Sequence, residues 1–377
     1  MTTTVSDLVP VSGLGRESVS GDLLAGIGFV PEDRCAATSI MVDHHFEKTV
    51  SHDGQVEVMP LADAVVTYPW LQDLMFSLID PDSDETLRRA FESTLRPLGT
   101  FTWVKPGAVL DKPLQSFSFM TVPQERQFVH DVTVIGEGAV VDSLSGNGVT
   151  PALTHGRHVS VSETFVGKNA RIRSLDVERW GRRMDVRSYT ATRLDEGAVS
   201  SSVSVAVSGV RNHVSTSRSE LAAGAKESVH SVVFAPAGTH REMITWTDLR
   251  GEGARSEQVA RMVSDGGEVL NESTLIGSAA GVSGFLECDG LMLSDRGYID
   301  SVPALKARTD KAQLSHEASV GMVDEAKLDY LMAVGLEADA ARDLIVQGFL
   351  DLEDQSLPAS LKSTVEDLVS AARAAEM

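Results

Sequence analysis

The sequence predicts a mainly β protein whose core is a solenoid of stacked coils, preceded by a mixed region and followed by helices. Three observations lead to this fold class. Short runs in the middle of the chain alternate apolar and small polar residues, a glycine-based turn motif recurs there about every 30 residues, and helical periodicity replaces both patterns near the C-terminus. The predicted domains are a mixed α/β region over 1–100, a solenoid core over 101–320 and a helical domain over 321–377.

The first 100 residues are punctuated by Pro and Asp and contain one stretch of helical spacing. Between Asp84 and Leu95, the apolar side chains of Leu87, Ala90 and Phe91 recur near the helical period. A single helix is therefore predicted within this mixed region.

The middle of the chain consists of segments typical of half-buried strands. Successive side chains of a strand point to opposite faces, so alternation of apolar and polar residues predicts one buried face. Glycine separates the runs and proline is sparse. The clearest runs are VTVIG (132–136), HVSVSETFVG (158–167), SSVSVAVSG (201–209) and SVHSVVFAP (228–236).

A turn motif of Gly or Asn followed by Ala recurs at nearly constant spacing through the same segment. Glycine and asparagine adopt the left-handed backbone conformation that a tight corner requires. Successive motifs are 31, 31, 28, 27 and 29 residues apart, and later candidates follow at Gly267 and Gly297. The period favours a β-solenoid, although a sandwich or barrel with regular hairpins gives a similar pattern. The motifs are Gly107-Ala108, Gly138-Ala139, Asn169-Ala170, Gly197-Ala198, Gly224-Ala225 and Gly253-Ala254.

Three short amphipathic helices are predicted after residue 321. The first begins at the N-cap Asp324 and ends at Gly335, the second ends at Gly348, and the third begins near Pro358. These helices would either cap the open end of the solenoid or present an apolar face to a partner protein.

Charge and cysteine content narrow the classes of function. The 377 residues include 33 Lys+Arg and 54 Asp+Glu, a net charge of −21, which disfavours nucleic acid and anionic lipid as partners. The two cysteines, Cys35 and Cys288, exclude a disulfide-rich secreted scaffold and favour a reducing compartment. The sequence has neither a signal peptide, in which a basic region precedes an apolar run, nor an apolar run long enough to span a membrane. We therefore expect a cytoplasmic protein without a membrane partner.

Most motifs of catalysis and nucleotide binding are absent from the sequence. Without a Gly-x-x-x-x-Gly-Lys-Ser/Thr loop, this chain is not expected to bind ATP. Gly-x-Ser-x-Gly, Cys-x-x-Cys and His-Glu-x-x-His patterns are also missing. The pairs His44-His45 and His155/His158 are interpreted as solvated surface. We therefore expect a protein that is not an enzyme. A carbohydrate-active β-helix enzyme is only a remote alternative, because few aromatic residues are available to bind sugars.

The last predicted coil contains the most informative residues. Cys288 lies between Glu287 and Asp289, whose carboxylates are predicted to raise the pKa of the thiol. Such a thiol suits a soft metal or a delivered sulfur better than self-activated nucleophilic attack. Glu317 follows 29 residues later, about one coil, so Cys288 and Glu317 are predicted to be stacked, with His316 on the opposite face. Cys, His and Glu form a credible iron or iron–sulfur ligand set, and a buried inert cysteine is the alternative.

This coil and the segment after it carry a long string of motifs in a fixed order. Between about Gly266 and Leu350 the sequence contains DGGEV, ECDGLMLSD, SVPALKA, SHEASVG and LMAVGL, followed by ARDLIVQGF. In this string, and more weakly back to LGTFTWVKPGAVLDKPLQSFSFM at 98–120, the chain resembles the SufB/SufD family. Members of that family are the scaffold and partner subunits of the SUF iron–sulfur cluster assembly system.

The resemblance implies a right-handed parallel β-helix that dimerises through its β-helices, and C-terminal helices that dock the ABC-type ATPase SufC. It also implies a transient iron–sulfur cluster at the dimer interface, with Cys288 and Glu317 matching SufB-like members and His316 matching SufD-like members. Arg173 and Trp180 resemble the family's basic and tryptophan positions, which makes Arg173 a candidate cluster-binding residue. Since both halves of the pattern are present, the chain looks like the short SufB-like members, for which a homodimer with SufC is expected; a SufB/SufD-type heterodimer is the alternative.

Two departures from the family's pattern bear on these expectations. Longer SufB proteins have a further cysteine inside the β-helix, whereas the predicted solenoid here contains only Cys288, and Arg179 stands where SufB usually has Asn. The leading hypothesis is a non-catalytic scaffold for cluster assembly. A SufD-like stabilising partner without its own cluster and a purely structural adaptor for an ATPase are the alternatives. Cys35 lies outside the resemblance and is interpreted as a packing residue.

Overall fold

The computed structural model describes residues 19–350, apart from 95, 123–125, 152, 154 and 207. Strand accounts for 54% of the structure. The α-helices in the described residues are α1 (Gly21–Ala25), α2 (Leu61–Thr67), α3 (Glu85–Glu92), α4 (Glu325–Ala333) and α5 (Ala338–Leu350). The strands there are β1 (Ala37–Val42), β2 (His45–Ser51), β3 (Val56–Pro60), β4 (Thr100–Val104), β5 (Leu114–Met120), β6 (Arg126–Ile135), β7 (Val140–Val149), β8 (Gly156–Val166), β9 (Arg171–Arg179), β10 (Met184–Leu194), β11 (Val199–Ala206), β12 (Asn212–Leu221), β13 (Lys226–Pro236), β14 (His240–Leu249), β15 (Arg255–Asp265), β16 (Glu268–Gly277), β17 (Ser283–Met292), β18 (Tyr298–Ala307) and β19 (Gln313–Met322).

The strands alternate between two sheets. In the described residues, a ten-stranded sheet has the order β19-β17-β15-β13-β11-β9-β7-β5-β1-β2, and a nine-stranded sheet has the order β18-β16-β14-β12-β10-β8-β6-β4-β3. From β4 and β5 onward, each strand pairs in parallel with the strand two places along the chain. The chain thus passes from one sheet to the other and back in about seven turns. The predicted β-solenoid is confirmed.

The predicted turn motif forms one corner of the solenoid, where the chain leaves the nine-stranded sheet for the ten-stranded one. All six Gly or Asn residues have positive φ, from 57° at Asn169 to 72° at Gly107, and each following alanine is buried. The corners are also bonded to one another, since the Gly224 N–H donates to the carbonyl of Glu252 at 2.9 Å. A left-handed residue with a small buried neighbour is therefore what fixes the period.

The continuation of this series differs from the prediction. It runs on at Gly281, which has φ 69° and is followed by the buried Val282. The predicted Gly267 and Gly297 belong to the opposite corner, between β15 and β16 and between β17 and β18. Both corners of a flattened solenoid need turn residues, so glycine spacing alone did not separate them.

The N-terminal region closes the first end of the solenoid. β2 pairs antiparallel with β1, and β3 pairs antiparallel with β4, so residues before 100 contribute strands to both sheets. The predicted helix is present as α3, although Leu95 lies outside the described residues. On the outer face of the nine-stranded sheet, Leu61 clusters with Phe165 of β8, and Leu87 clusters with Val161 of the same strand. The boundary near residue 100 stays a prediction.

The C-terminal helices follow the last strand. Asp324 caps α4 as predicted, and Gly335, with φ 104°, follows its end. The predicted stop at Gly348 is wrong, because α5 continues through it to Leu350, whose side chain is buried against the solenoid. The third predicted helix, from Pro358, lies outside the described residues.

Helix α5 lies on the outer face of the ten-stranded sheet and does not cap its open end. Val346 and Leu350 are buried there in a cluster that includes Val263 of β15. Within the described residues, no strand pairs with the far side of β18 or β19. None of the helices in this part of the chain is long and apolar enough to cross a membrane.

Candidate functional site

Cys288 lies one strand from the open end of the solenoid. Its strand, β17, pairs with β15 and β19, which places Ala260 and Ala318 beside the cysteine in register. The side chain points between the two sheets, is 2% exposed, and clusters with Met262 and Ile299. Only the last coil therefore separates this thiol from the end of the solenoid.

The surroundings of Cys288 raise the pKa of its thiol, which is therefore protonated at neutral pH. Burial is the largest influence that raises its pKa, and the carboxylates of Asp289 and Glu287 raise it further. The side chains of Ser301 and Asn271 act in the opposite direction, and the Asn271 amide Nδ2 donates a hydrogen bond to the Cys288 Sγ at 3.3 Å. The predicted direction of the pKa shift is confirmed, but burial contributes more than the flanking carboxylates.

Glu287 and Asp289 point to the outer face, where one arginine binds both. The Arg261 guanidinium donates from Nη2 to Glu287 Oε1 at 2.5 Å and from Nη1 to Asp289 Oδ2. The second oxygen of Asp289 accepts a hydrogen bond from Ser319 Oγ on β19 at 2.6 Å. The two carboxylates that flank the thiol in sequence are thus paired on the opposite face of its strand.

The predicted stacking of Glu317 on Cys288 is wrong by one residue. The register places Glu317 beside Glu287 and His316 beside Leu286. Because paired residues of parallel strands share a face, Glu317 is on the outer face and His316 shares the face of Cys288. Both side chains are exposed, since β19 is covered by no further coil among the described residues.

These three residues do not form a closed metal site within one chain. Among the described residues, no three His, Cys, Asp or Glu side chains are grouped closely enough to hold a metal ion. Cys288 is buried, whereas His316 and Glu317 lie on the exposed edge strand. Their assignment as cluster ligands stays a prediction.

Arg173 lies on β9, which is separated from β17 by three strands of the ten-stranded sheet. Its guanidinium binds Asp142 through two hydrogen bonds of 2.7 and 2.9 Å on the outer face. The structure therefore does not bring Arg173 to Cys288. Its role as a cluster-binding residue stays a prediction.

The histidine pairs and Cys35, which were also singled out in the sequence, lie away from Cys288. His44, His45 and His155 are exposed, as predicted. The surface interpretation is wrong for His158, which is buried and packs against the Trp180 ring with 4.8 Å between the ring centroids. Burial lowers the pKa of His158 to about 3. Its Nδ1 bonds Gln127 Oε1 at 2.8 Å. Cys35 is 1% exposed and outside any disulfide, at the opposite end of the sheet from Cys288.

A charged cluster lies inside the solenoid and was not predicted from the sequence. Arg241, 2% exposed, lies 3.4 Å from Glu178 Oε2 and donates from Nη1 to His213 Nδ1 at 2.8 Å. Burial, followed by the negative charge of Glu178, raises the pKa of the neighbouring Asp176, and burial lowers that of His213. Acidic residues two apart on a strand, as in LDVER, are the signal that could have indicated an acidic face of β9.

Comparison with known proteins identifies related sequences. Residues 119–349 match the family model described as "SUF system FeS cluster assembly, SufBD core domain". An iron-sulfur cluster assembly SufBD family protein of Archaeoglobus fulgidus is 32% identical over 317 residues, covering 84% of this chain and 85% of the relative. Its counterpart in Methanothermobacter thermautotrophicus strain Delta H is 29% identical over 356 residues, covering 92% and 86%. A Pyrococcus horikoshii relative is 23% identical over 353 residues, covering 92% and 79%.

Proposed function

Because this chain belongs to the SufBD family of iron–sulfur cluster assembly proteins, we propose that it is a cytoplasmic, non-catalytic scaffold on which a cluster is transiently built. A role in cluster assembly follows from family membership. The finer proposal is that Cys288, His316 and Glu317 bind the iron and sulfide that are the protein's cargo. Thiolate, imidazole and carboxylate are ligands that iron accepts in proteins.

One observation carries this proposal: the cysteine strand lies directly beneath a strand edge that no other described residue covers with a further strand, and this edge presents the other two candidate ligands. His316 and Glu317 are exposed on β19, and Cys288 is one strand further in. An incomplete ligand set at an open edge is the arrangement expected if a second subunit supplies the remaining ligands.

The same edge has the properties of a subunit interface. Val320 is 44% exposed and Met322 is 56% exposed on β19, and Val302 is 51% exposed on β18. A terminal strand leaves backbone N–H and C=O groups without ladder partners and, when it is also apolar, serves as a template for association. We propose that two copies pair here, with a SufB/SufD-type heterodimer as the alternative. Either arrangement brings two ligand sets together.

The ATPase partner is proposed to dock on the C-terminal helices. Tyr330 of α4 is 68% exposed, Val334 directly after α4 is 63% exposed, and Leu344 of α5 is 50% exposed. Exposed apolar side chains on adjacent short helices suit binding of a partner protein. In this proposal ATP is bound by SufC and not by this chain. Motion of SufC exposes the buried Cys288, so that its thiol can release a proton to solvent and bind iron.

Anaerobic reconstitution with ferrous iron and sulfide tests the assignment of the site. The double variant Cys288→Ala, Glu317→Ala is expected to lose the cluster, whereas the matched control Cys35→Ala should retain it. Equal cluster content in the double variant and the parent would contradict the proposal. If the parent retains iron only when a second SufB-like subunit is present, the SufD-like alternative is correct.

A further inference from the structure

Arg261 occupies a position between the C-terminal helix and the cysteine strand. It lies on β15, where its register neighbour on β17 is Asp289, and its side chain is 28% exposed. Its guanidinium binds Asp289 and also Glu287, the residues on either side of Cys288. One arginine thus spans both carboxylates that flank the thiol.

The other side of this guanidinium faces α5. The ring of Phe349 covers it, with 5.9 Å between the guanidinium carbon and the ring centroid. The neighbouring Val346 and Leu350 are buried, which fixes the helix against the same sheet. A cation beneath an aromatic face is attracted by the ring quadrupole, so the position of α5 and that of Arg261 depend on each other.

The contacts of Arg261 also reach the edge strand. Asp289 accepts the hydroxyl hydrogen bond of Ser319 on β19, and Glu287 lies beside Glu317 in register. Glu287, Asp289 and Glu317 place three carboxylates on one face of two adjacent strands. Arg261 is hydrogen-bonded to two of the three, Glu287 and Asp289, and without this positive charge the repulsion among the carboxylates would favour separation of β17 and β19.

We propose that Arg261 is a positioning residue that couples the seating of α5 to access to Cys288. When a partner draws α5 away from the sheet, Phe349 leaves the guanidinium, the two ion pairs weaken, and the last two coils open around the thiol. This inference rests on the proposed function, because it supplies the connection between the helices proposed to bind the ATPase and the proposed cluster ligand.

The rate of Cys288 alkylation by iodoacetamide, resolved by mass spectrometry of the full chain, measures this coupling without any cluster. Arg261→Met keeps an apolar stem and removes both ion pairs. We expect alkylation of Cys288 to accelerate about tenfold, equivalent to about 1.4 kcal/mol of opening free energy. Electrostatics alone predicts the reverse, because losing a nearby cation leaves Glu287 and Asp289 to raise the pKa of the thiol and slow the reaction.

Two further variants separate the coupling from general destabilisation. Phe349→Leu preserves apolar packing and removes the ring, so we expect alkylation of Cys288 to accelerate about threefold. This effect of Phe349→Leu should disappear when Arg261→Met is already present. Arg250→Met is the matched control, since Arg250 also binds two carboxylates, Glu220 and Asp248, on other strands. Alkylation of the distant Cys35 should stay at the parent rate in every variant.

An unchanged or slower Cys288 rate in both Arg261→Met and Phe349→Leu would overturn the coupling, and so would equal acceleration of Cys35. These outcomes are independent of the proposed function. If Cys288→Ala abolishes cluster retention while Arg261→Met alkylates at the parent rate, the scaffold assignment stands and the coupling is wrong. If Arg261→Met accelerates alkylation while Cys288→Ala retains the cluster, the coupling stands and the ligand assignment is wrong.

Discussion

Removing the buried cation inside the solenoid should destabilise the protein strongly. Arg241 lies between the sheets, 2% exposed, beside Glu178 and His213, and its Nη2 donates to the carbonyl of Ser208 at 3.1 Å. Arg241→Met retains most of the stem volume but leaves the Glu178 carboxylate, which is 14% exposed, between the sheets without its cation. A buried charge that loses its partner costs about 3–5 kcal/mol.

The magnitude can be worked from proton uptake. Burial raises the pKa of Glu178 above its ordinary 4.5 even with Arg241 present. Arg241→Met removes the charge that opposes this shift, so the pKa of Glu178 rises further, and the variant loses about 1.4 kcal/mol for each unit of that further rise. The lost hydrogen bonds to Ser208 and His213 add about 1 kcal/mol each. The destabilisation should therefore grow as pH rises above the raised pKa of Glu178 in the parent and shrink below it.

Urea unfolding at several pH values measures this effect. Arg241→Met should lose about 3–5 kcal/mol at pH 7, and the added substitution Glu178→Gln should recover about 3 kcal/mol, because it removes the buried charge. A loss below about 1 kcal/mol, or strictly additive effects of the two substitutions, would refute the reasoning.

Three further changes have defined outcomes. Burial raises the pKa of Asp131 to about 6, so the folded state loses up to about 3 kcal/mol as pH rises from 3.8 to 6, and Asp131→Asn should remove that slope from urea unfolding. Gly224→Ala should cost about 1–2 kcal/mol because φ is 65°, whereas Gly54→Ala, which is equally uncrowded, should be nearly neutral in thermal unfolding. Asn271→Leu removes a donor to the thiol and should shift the pH profile of Cys288 alkylation to higher pH; an unshifted profile would count against this hydrogen bond.

The solenoid could be predicted from the sequence because its corners are chemically restricted. A left-handed residue followed by a small buried one is needed at each corner, and the pairs from Gly107-Ala108 to Gly253-Ala254 repeat that requirement. The strands between them alternate in the period of a half-buried sheet. Local backbone chemistry therefore made the fold class and the approximate length of a coil predictable.

The exact register of the site could not be predicted, because coil length varies. Ala260 and Cys288 are 28 residues apart in register, whereas Cys288 and Ala318 are 30 apart. The offset of 29 to Glu317 averages these lengths. An error of one residue exchanges the two faces of a strand, which reversed the placement of His316 and Glu317.

The buried charges were missed for a related reason. Apolar residues usually mark the inner face of a strand, but Leu175 and Val177 of β9 point outward into a cluster formed with N- and C-terminal segments such as Val346. Asp176 and Glu178 consequently point inward. When both faces of a parallel sheet are covered, the alternation in the sequence no longer indicates which face is the interior.

If the cluster is held where the β19 edges of two subunits meet, the iron content of monomeric and dimeric fractions is the most direct test. Val320→Asp places a charge on β19, and Val66→Asp, at an 80% exposed position on α2, is the matched control. After anaerobic reconstitution, we expect Val320→Asp to elute as a monomer without iron and Val66→Asp to elute as an iron-containing dimer, as the parent does. A monomeric Val320→Asp variant that retains the parent's iron content would contradict the account.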